Sequence, residues 1–320
     1  MRLLQTILLS VLFIQICLQQ PAQNPVIGIY TQDAEDIDSV DSVDAFSTYI
    51  AASYVKNLEM AGAQVIPLFY HYTEAQLETL LGKINGVFFP GGEMPIDWST
   101  DWTKKTAFIF EYAKKQNQAG NVYPIWATCL GYETIMYITS GRTDNTTVFT
   151  EVFGQDGLSC PLIVKNRDSK LLRSLNNPEY ADAVNGDGFF FFHHRWSVME
   201  ETFNKNSNWT SFWNLVSTSK TNYGAEFLST LEAKDYPFFL TQYHPEKNSY
   251  EWRVPAKRTY NSISAEQKFI NVFVSEARKN KNHFPAAELS KKVIYNYHPI
   301  LTPLDYAFVQ VYVFDERNLS

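Results

Sequence analysis

Tyr123-Pro-Ile-Trp-Ala-Thr-Cys-Leu-Gly-Tyr-Glu-Thr134 decides the fold. An apolar run ends at Cys129, and a helical pattern restarts just past Gly131, so the stretch predicts a strand, a sharp turn and a helix. A residue at such a corner sits in a sparsely populated backbone conformation, its side chain projecting from the sheet edge and the following amides facing the same space. The helix N-terminus behind it favours a thiolate. A free cysteine is ordinarily inert core. Here the glycine two residues on and the strand-to-helix switch make Cys129 a candidate nucleophile.

Working outward, the segments before Cys129 repeat one rhythm. Val26–Tyr30, Gln64–Tyr70 and Gly86–Phe89 are short apolar, β-branched runs. Between them lie helical patterns at Tyr49–Ala61, which Gly62 stops, and at Thr73–Gly82, where Thr73 is placed to cap. A further helix over Trp102–Gln118 leads into the strand that carries Cys129. Four strands alternating with helices, each strand nearly all apolar, predict a parallel sheet covered on both faces, an α/β three-layer sandwich. Ligands of such sheets bind at the carboxyl ends of the strands, where Gly91, Gly92 and Cys129 fall.

After Gly141 the runs shorten, at Thr147–Phe153, Pro161–Val164, Phe189–Phe192, Leu215–Ser219, Ala225–Leu231 and Pro237–Tyr243, and predict antiparallel strands. A long amphipathic helix is expected over Ser264–Asn280, with Ala265, Phe269, Val272, Phe273 and Ala277 at helical spacing. The tail to Asp315 has no linker composition, so residues 25–315 are expected to form one domain with a C-terminal extension packed on it.

The 320 residues carry a net charge of −7, and no basic stripe could track phosphates, which argues against nucleic acid. Aromatic content of 15% excludes general disorder. Residues 1–22 join a lone Arg2 to a short apolar core and predict a cleaved secretory signal peptide, the cut falling between about Leu18 and Gln23. No second run is long enough to span a bilayer, so the mature chain is expected free of the membrane. Cleavage removes Cys17 and leaves Cys129 and Cys160 in an oxidising compartment; they could pair, but a nucleophilic Cys129 requires Cys160 to be a buried free thiol. Sequons at Asn145, Asn208 and Asn318 agree with secretory entry, Asn145 and Asn208 being the candidate glycan sites. Six carboxylates crowd Asp33–Asp44, but the run lacks the glycine and closing glutamate of a calcium loop and predicts a solvated loop, so no metal is expected.

A cysteine nucleophile needs a base, a group to orient the base, and donors for the oxyanion. His244, at the end of a late strand, can be that base and then the acid to the leaving amine. Glu246, two residues on, can hold its ring by period-two geometry. The amides of Gly92 and Leu130 can form an oxyanion hole, glycine allowing close approach to the backbone. Pro-Gly-Gly, Cys-Leu-Gly and His-Pro-Glu are each common; their joint order, each at the carboxyl end of an expected strand, is not.

That combination resembles the class I glutamine amidotransferase-like superfamily. Within it, Ile50–Lys56, Ile84–Gly92, Thr128–Glu133, Tyr243–Lys247 with Tyr250-Glu-Trp252, and Phe273–Asn280 look like the γ-glutamyl hydrolases, or folate conjugases, of peptidase family C26, over about Pro25 to Asp315. The resemblance implies a flavodoxin-like fold and a lysosomal or secreted cysteine hydrolase that removes γ-linked glutamates from folyl-poly-γ-glutamates, as a homodimer and without cofactor. Glu133 stands where glutaminases carry Gln, and either contacts a substrate ammonium or caps the helix. His194 matches a family histidine lining the site, against a packing role in its loop. Tyr54 matches a family tyrosine near the pocket, against a core role at helical spacing. Arg195 or Arg253 could pair with substrate carboxylates, against the reading of each as a surface charge. The competing readings are a glutaminase feeding a synthetase, opposed by the leader and the lack of a phosphate-binding loop, and a non-catalytic lumenal binding protein, opposed by the intact Cys129, Gly92, His244 and Glu246.

Overall fold

In the computed structural model, Ile125–Thr128 is an inner strand of an eight-stranded sheet. The model describes residues 24–34, 47–152, 156–175 and 188–318. The expected signal peptide with Cys17, nearly all of the acidic run, Phe153 and the side chain of Asn318 lie outside the described residues.

The strands are β1 (Val26–Tyr30), β2 (Gln32–Asp33), β3 (Ser47–Ala51), β4 (Gln64–Leu68), β5 (Gly86–Phe89), β6 (Ile125–Thr128), β7 (Thr150–Glu151), β8 (Asp156–Cys160), β9 (Ile163–Val164), β10 (Phe190–His193), β11 (Trp196–Ser197), β12 (Trp213–Lys220), β13 (Glu226–Ala233), β14 (Phe238–Thr241), β15 (Ile300–Leu301) and β16 (Gln310–Asp315). The main sheet runs β4-β1-β5-β6-β14-β13-β12-β9. Its first five strands are parallel and the last three pair antiparallel. Every residue of β1, β5, β6 and β14 is buried, as strands covered on both faces must be. The helices Glu74–Leu81, Asp101–Gln118 and Leu130–Thr139 pack on one another, as do Ala52–Met60, Lys247–Tyr250 and Tyr260–Ala277. The mainly parallel, three-layer architecture is therefore the one the sequence implied. One apolar core cluster reaches from Val26 to Phe314.

Several local expectations hold in detail. Thr73 caps its helix in a reciprocal capping box with Gln76. The long helix is present but spans Tyr260–Ala277, starting at a Thr259 cap ahead of the expected Ser264 and ending before the expected Asn280. Two readings are corrected. The pattern read as helix from Tyr49 is strand until Ala51, because Ser47–Ala51 lies between β2 and the C-terminal β16, with Val311 opposite Ala51. A strand partner 260 residues away leaves no trace in local periodicity, while Tyr49 and Ile50 suit a pleated surface. Pro237–Tyr243 was expected among antiparallel strands; β14 is antiparallel to β13 but parallel to β6, and so joins the two halves of the sheet. That junction sets Thr241 beside Thr128 and brings the following His244 to the edge where Cys129 lies.

Candidate active site

Cys129 has φ 50° and ψ −108°, and among the described residues it is the sole non-glycine with positive φ. The elbow is locked from both sides. The Cys129 amide donates to the Thr241 carbonyl at 2.9 Å, the Gly131 amide to Pro90 at 3.1 Å, and the Glu133 amide to the Cys129 carbonyl at 2.8 Å. A Cβ on Gly131 would come within 2.6 Å of the Phe89 carbonyl oxygen, so only glycine lets the helix start this close to β5. Strain of this kind persists only where surrounding structure over-determines it.

On one side the sulfur meets a cleft of about 670 Å³ whose walls include Gly92, Leu130, Glu133, His193, His194, Asn145 and Trp196. The Leu130 amide points at the sulfur, and no protein acceptor among the described residues takes the Gly92 amide. A Cβ at Gly92 would fall on the Gln32 amide, whose Nε2 donates to the Gly91 carbonyl at 2.9 Å. The two expected oxyanion donors therefore flank the nucleophile at the cleft wall.

On the other side lie His244 and Glu246, 2% and 0% exposed. His244 Nδ1 and Glu246 Oε1 are 2.7 Å apart, and Tyr54 Oη is 3.4 Å from the same nitrogen. The Glu246 carboxylate returns to the ring through a turn, with Glu246 in the helical region ahead of Lys247–Tyr250, and not through strand alternation as the sequence suggested. The strand has already ended at Thr241. The Tyr54 hydroxyl accepts the Gly91 amide at 2.9 Å. A Cβ at Gly91 would stand 2.7 Å from His244 Cε1, 2.8 Å from Tyr54 Oη and 3.0 Å from Cys129 Cβ. Nucleophile, imidazole and phenol thus converge on one point that only glycine leaves vacant.

Burial dominates the electrostatics. It pushes the Cys129 thiol well above its ordinary value, with Glu133 adding to the shift, while Lys247 and the Leu130 amide pull the other way. It holds His244 well below the usual imidazole value, Lys247 adding to that shift. The pair rests as thiol and neutral imidazole; desolvation outweighs the helix N-terminus that the sequence reading took to favour a thiolate. The thiol donates to the His193 carbonyl at 3.6 Å. Among the described residues nothing hydrogen-bonds His244 Nε2, and Nδ1 is the nitrogen toward Glu246. Burial also raises Glu246 to about 7, against the pull of Lys247.

The remaining expected residues divide between the two sides. Glu133 lines the cleft, is raised to about 8 by burial, and accepts from Gln242 Nε2 at 2.9 Å. Ser197 Oγ in turn donates to Gln242 Oε1 at 3.2 Å. Gln242 and Ser197 were not picked out in the sequence, although an amide ending the apolar run Phe238–Thr241, two residues before His244, is a visible signal. His194 also lines the cleft, is lowered to about 3 by burial, and bonds the Trp196 carbonyl at 3.0 Å through Nδ1. Its Nε2 is buried without a partner among the described residues. Tyr54 and Gly91 sit behind the nucleophile and not in the cleft wall.

Arg195 is in the wall, paired with Glu151 at 2.5 Å, whereas Arg253 is tied to Thr302 and Pro303 of the C-terminal segment. Asn145 donates to the Ile96 carbonyl at 2.6 Å and Asn208 to Ser140 at 3.1 Å. No disulfide joins Cys129 and Cys160, and Cys160 is half-buried where a buried thiol was expected.

Comparison with known proteins places the chain in a family. Residues 25–147 match the Peptidase C26 family. Gamma-glutamyl hydrolase B of Dictyostelium discoideum is 34% identical over 91% of this chain and 83% of its own length. Gamma-glutamyl hydrolase of Homo sapiens is 34% identical over 92% of this chain and 91% of its own, and gamma-glutamyl hydrolase 1 of Arabidopsis thaliana 33% identical over 92% and 83%. Similarity of this extent runs through β5, the Cys129 elbow and the His244 turn alike, and the chain belongs to the γ-glutamyl hydrolase family, peptidase family C26.

Proposed function

We propose that this hydrolase cleaves the γ-glutamyl bonds of folyl-poly-γ-glutamates through an acyl-enzyme on Cys129. The observation that carries the reading is the convergence of Cys129 Cβ and His244 Cε1 on the point a Gly91 side chain would fill. With Nδ1–H held by the Glu246 carboxylate, the Nε2 lone pair is free to take the thiol proton as sulfur adds to the γ-carbonyl carbon. The oxyanion is met by the Gly92 and Leu130 amides. Collapse expels the leaving amine, which takes its proton from His244 Nε2 and leaves a thioester. Water then adds to the thioester with His244 again as base, and glutamyl carboxylate leaves with the thiol restored.

Glu133 and His194 face the substrate from the cleft, Arg195 is the cation closest to hand for its carboxylates, and Tyr54 holds the Gly91 turn under the imidazole. We read residues 25–315 as one catalytic unit, released from its leader into the lysosome or outside the cell and working as a homodimer, with glycans at Asn145 and Asn208. Among the described residues no helix is long and apolar enough to cross a membrane.

The test is Cys129→Ala assayed on a pteroyl-γ-glutamyl substrate. The variant is expected to keep its melting temperature and to lose at least about 10³-fold in kcat. Hydrolysis retained near the wild-type rate defeats the proposal.

A further inference from the structure

Behind the triad the chain buries a cation. Among the described residues Lys247 is the sole buried lysine or arginine, at 0% exposure. An ammonium taken out of water is costly unless charges and dipoles replace its hydration. Lys247 closes the His244 turn, its amide donating to the His244 carbonyl at 3.3 Å with Glu246 between them, and its charge acts on His244, Glu246 and Glu251 of that segment and on Cys129 of the elbow. Tyr54 from Ala52–Met60 and the fully buried Glu266 from Tyr260–Ala277 complete the cluster around Glu246.

The C-terminal segment forms the roof. Lys247 Nζ stands 4.5 Å from the centroid of the Phe308 ring, a cation–π contact in a dry setting. The same ring lies 6.4 Å from that of Tyr54, whose hydroxyl takes the Gly91 amide and faces His244. Phe308 is fixed in place by its neighbours. The Val309 amide donates to Glu251 Oε2 at 2.6 Å, and β16 pairs with β3 immediately beyond.

We infer that Lys247, roofed by Phe308, is a positioning residue for the hydrolysis, its charge acting through Glu246, His244 and Cys129 while the C-terminal segment holds it there. The inference rests on the proposed Cys129–His244–Glu246 triad. A positive charge at this place favours the deprotonated form of each group around it, and it pulls Cys129, His244 and Glu246 downward alike. Protonation of His244 Nε2 or of Glu246 removes the base, so the acid limb of kcat/KM is where the charge is felt.

The experiment is the pH profile of kcat/KM on a pteroyl-γ-glutamyl substrate for wild type, Lys247→Met, Lys247→Arg and Phe308→Leu, with melting temperatures measured alongside. Lys247→Met is expected to move the acid limb up by about one pH unit, a roughly tenfold loss on that limb, with KM changed less than about twofold. Lys247→Arg keeps the charge and is expected to keep the limb within a few tenths of a unit. Phe308→Leu moves it upward by part of the Lys247→Met shift. A folded Lys247→Met with the wild-type limb, or a Lys247→Arg limb displaced as far as that of Lys247→Met, overturns the inference. Should Lys247→Met not fold, Phe308→Leu decides, and a limb unmoved in it overturns the inference too. A fully active Cys129→Ala would instead defeat the triad on which it rests, so the two failures are separable.

Discussion

In front of Cys129 lies a cleft of about 670 Å³ whose wall includes Glu133, His194 and Arg195; behind it His244, Glu246, Lys247 and Glu266 are sealed at 2% exposure or less. The front is shaped by the short strands and loops between β5 and β11, the back by the β14 turn, two helices and the C-terminal segment. Groups in front are placed to meet a substrate. Those behind are ionisable yet dry, so burial dominates their protonation and their charges adjust one another. The division separates residues whose loss should alter what binds from residues whose loss should alter how fast the bound molecule reacts.

Gly91 is the hinge between the two sides, and its substitution strikes the comparison hardest. Gly91→Ala puts a methyl among His244, Tyr54 and Cys129, and kcat is expected to fall at least about 10²-fold while the fold stays intact. Retention of more than a third of wild-type kcat would show that the three groups are not held where the geometry has them.

Next in size is Glu246→Ala. The ring keeps its backbone anchor, the His244 amide on the Phe191 carbonyl at 2.9 Å, and loses its orienting carboxylate. Kcat is expected to drop about 10-fold or somewhat more, chiefly with KM little changed. A loss equal to that of Cys129→Ala would make Glu246 part of the reacting machinery and erase its place behind it.

The smallest effect belongs to the front and concerns stability. Burial raises Glu133 to about 8, so the folded chain keeps a proton there that the unfolded chain releases near the ordinary carboxyl value of 4.5. Between those values the unfolded state binds fewer protons, and stability falls as pH rises. Glu133→Gln removes that dependence. Its melting temperature is expected to exceed that of wild type by a few degrees at pH 8, roughly 2–4 °C for each kcal/mol, with the gain shrinking toward pH 5. A difference independent of pH would contradict the buried, protonated carboxyl.

The same division explains what could be read in the sequence. Cys129, Gly92, Leu130 and His244 were picked out because each stands just past the carboxyl end of a strand, where local pattern and turn chemistry coincide, and Glu246 through its spacing from His244. Glu133 was legible through its spacing from Cys129. The supports were not. Tyr54 was singled out by resemblance while its helical spacing reads more often as core, Lys247 is of a residue type that is normally solvated, and Phe308 lies beside Lys247 and Tyr54 in the segment that leads into β16, which pairs with β3 across most of the chain. Such contacts are fixed by tertiary topology and leave no local periodicity. The same cause hid β3 inside a helical pattern, whereas the return of Glu246 is local: the strand ends at Thr241, so a turn stands where strand alternation had been expected.

The central claim is that the cleft presents a γ-glutamyl carbonyl to Cys129. It is tested most directly by incubating the purified protein with pteroylpentaglutamate and, in parallel, with free glutamine, and identifying the products. Release of glutamate or γ-oligoglutamate with no ammonia from glutamine is the predicted result; ammonia from glutamine with the pteroyl substrate intact would contradict it.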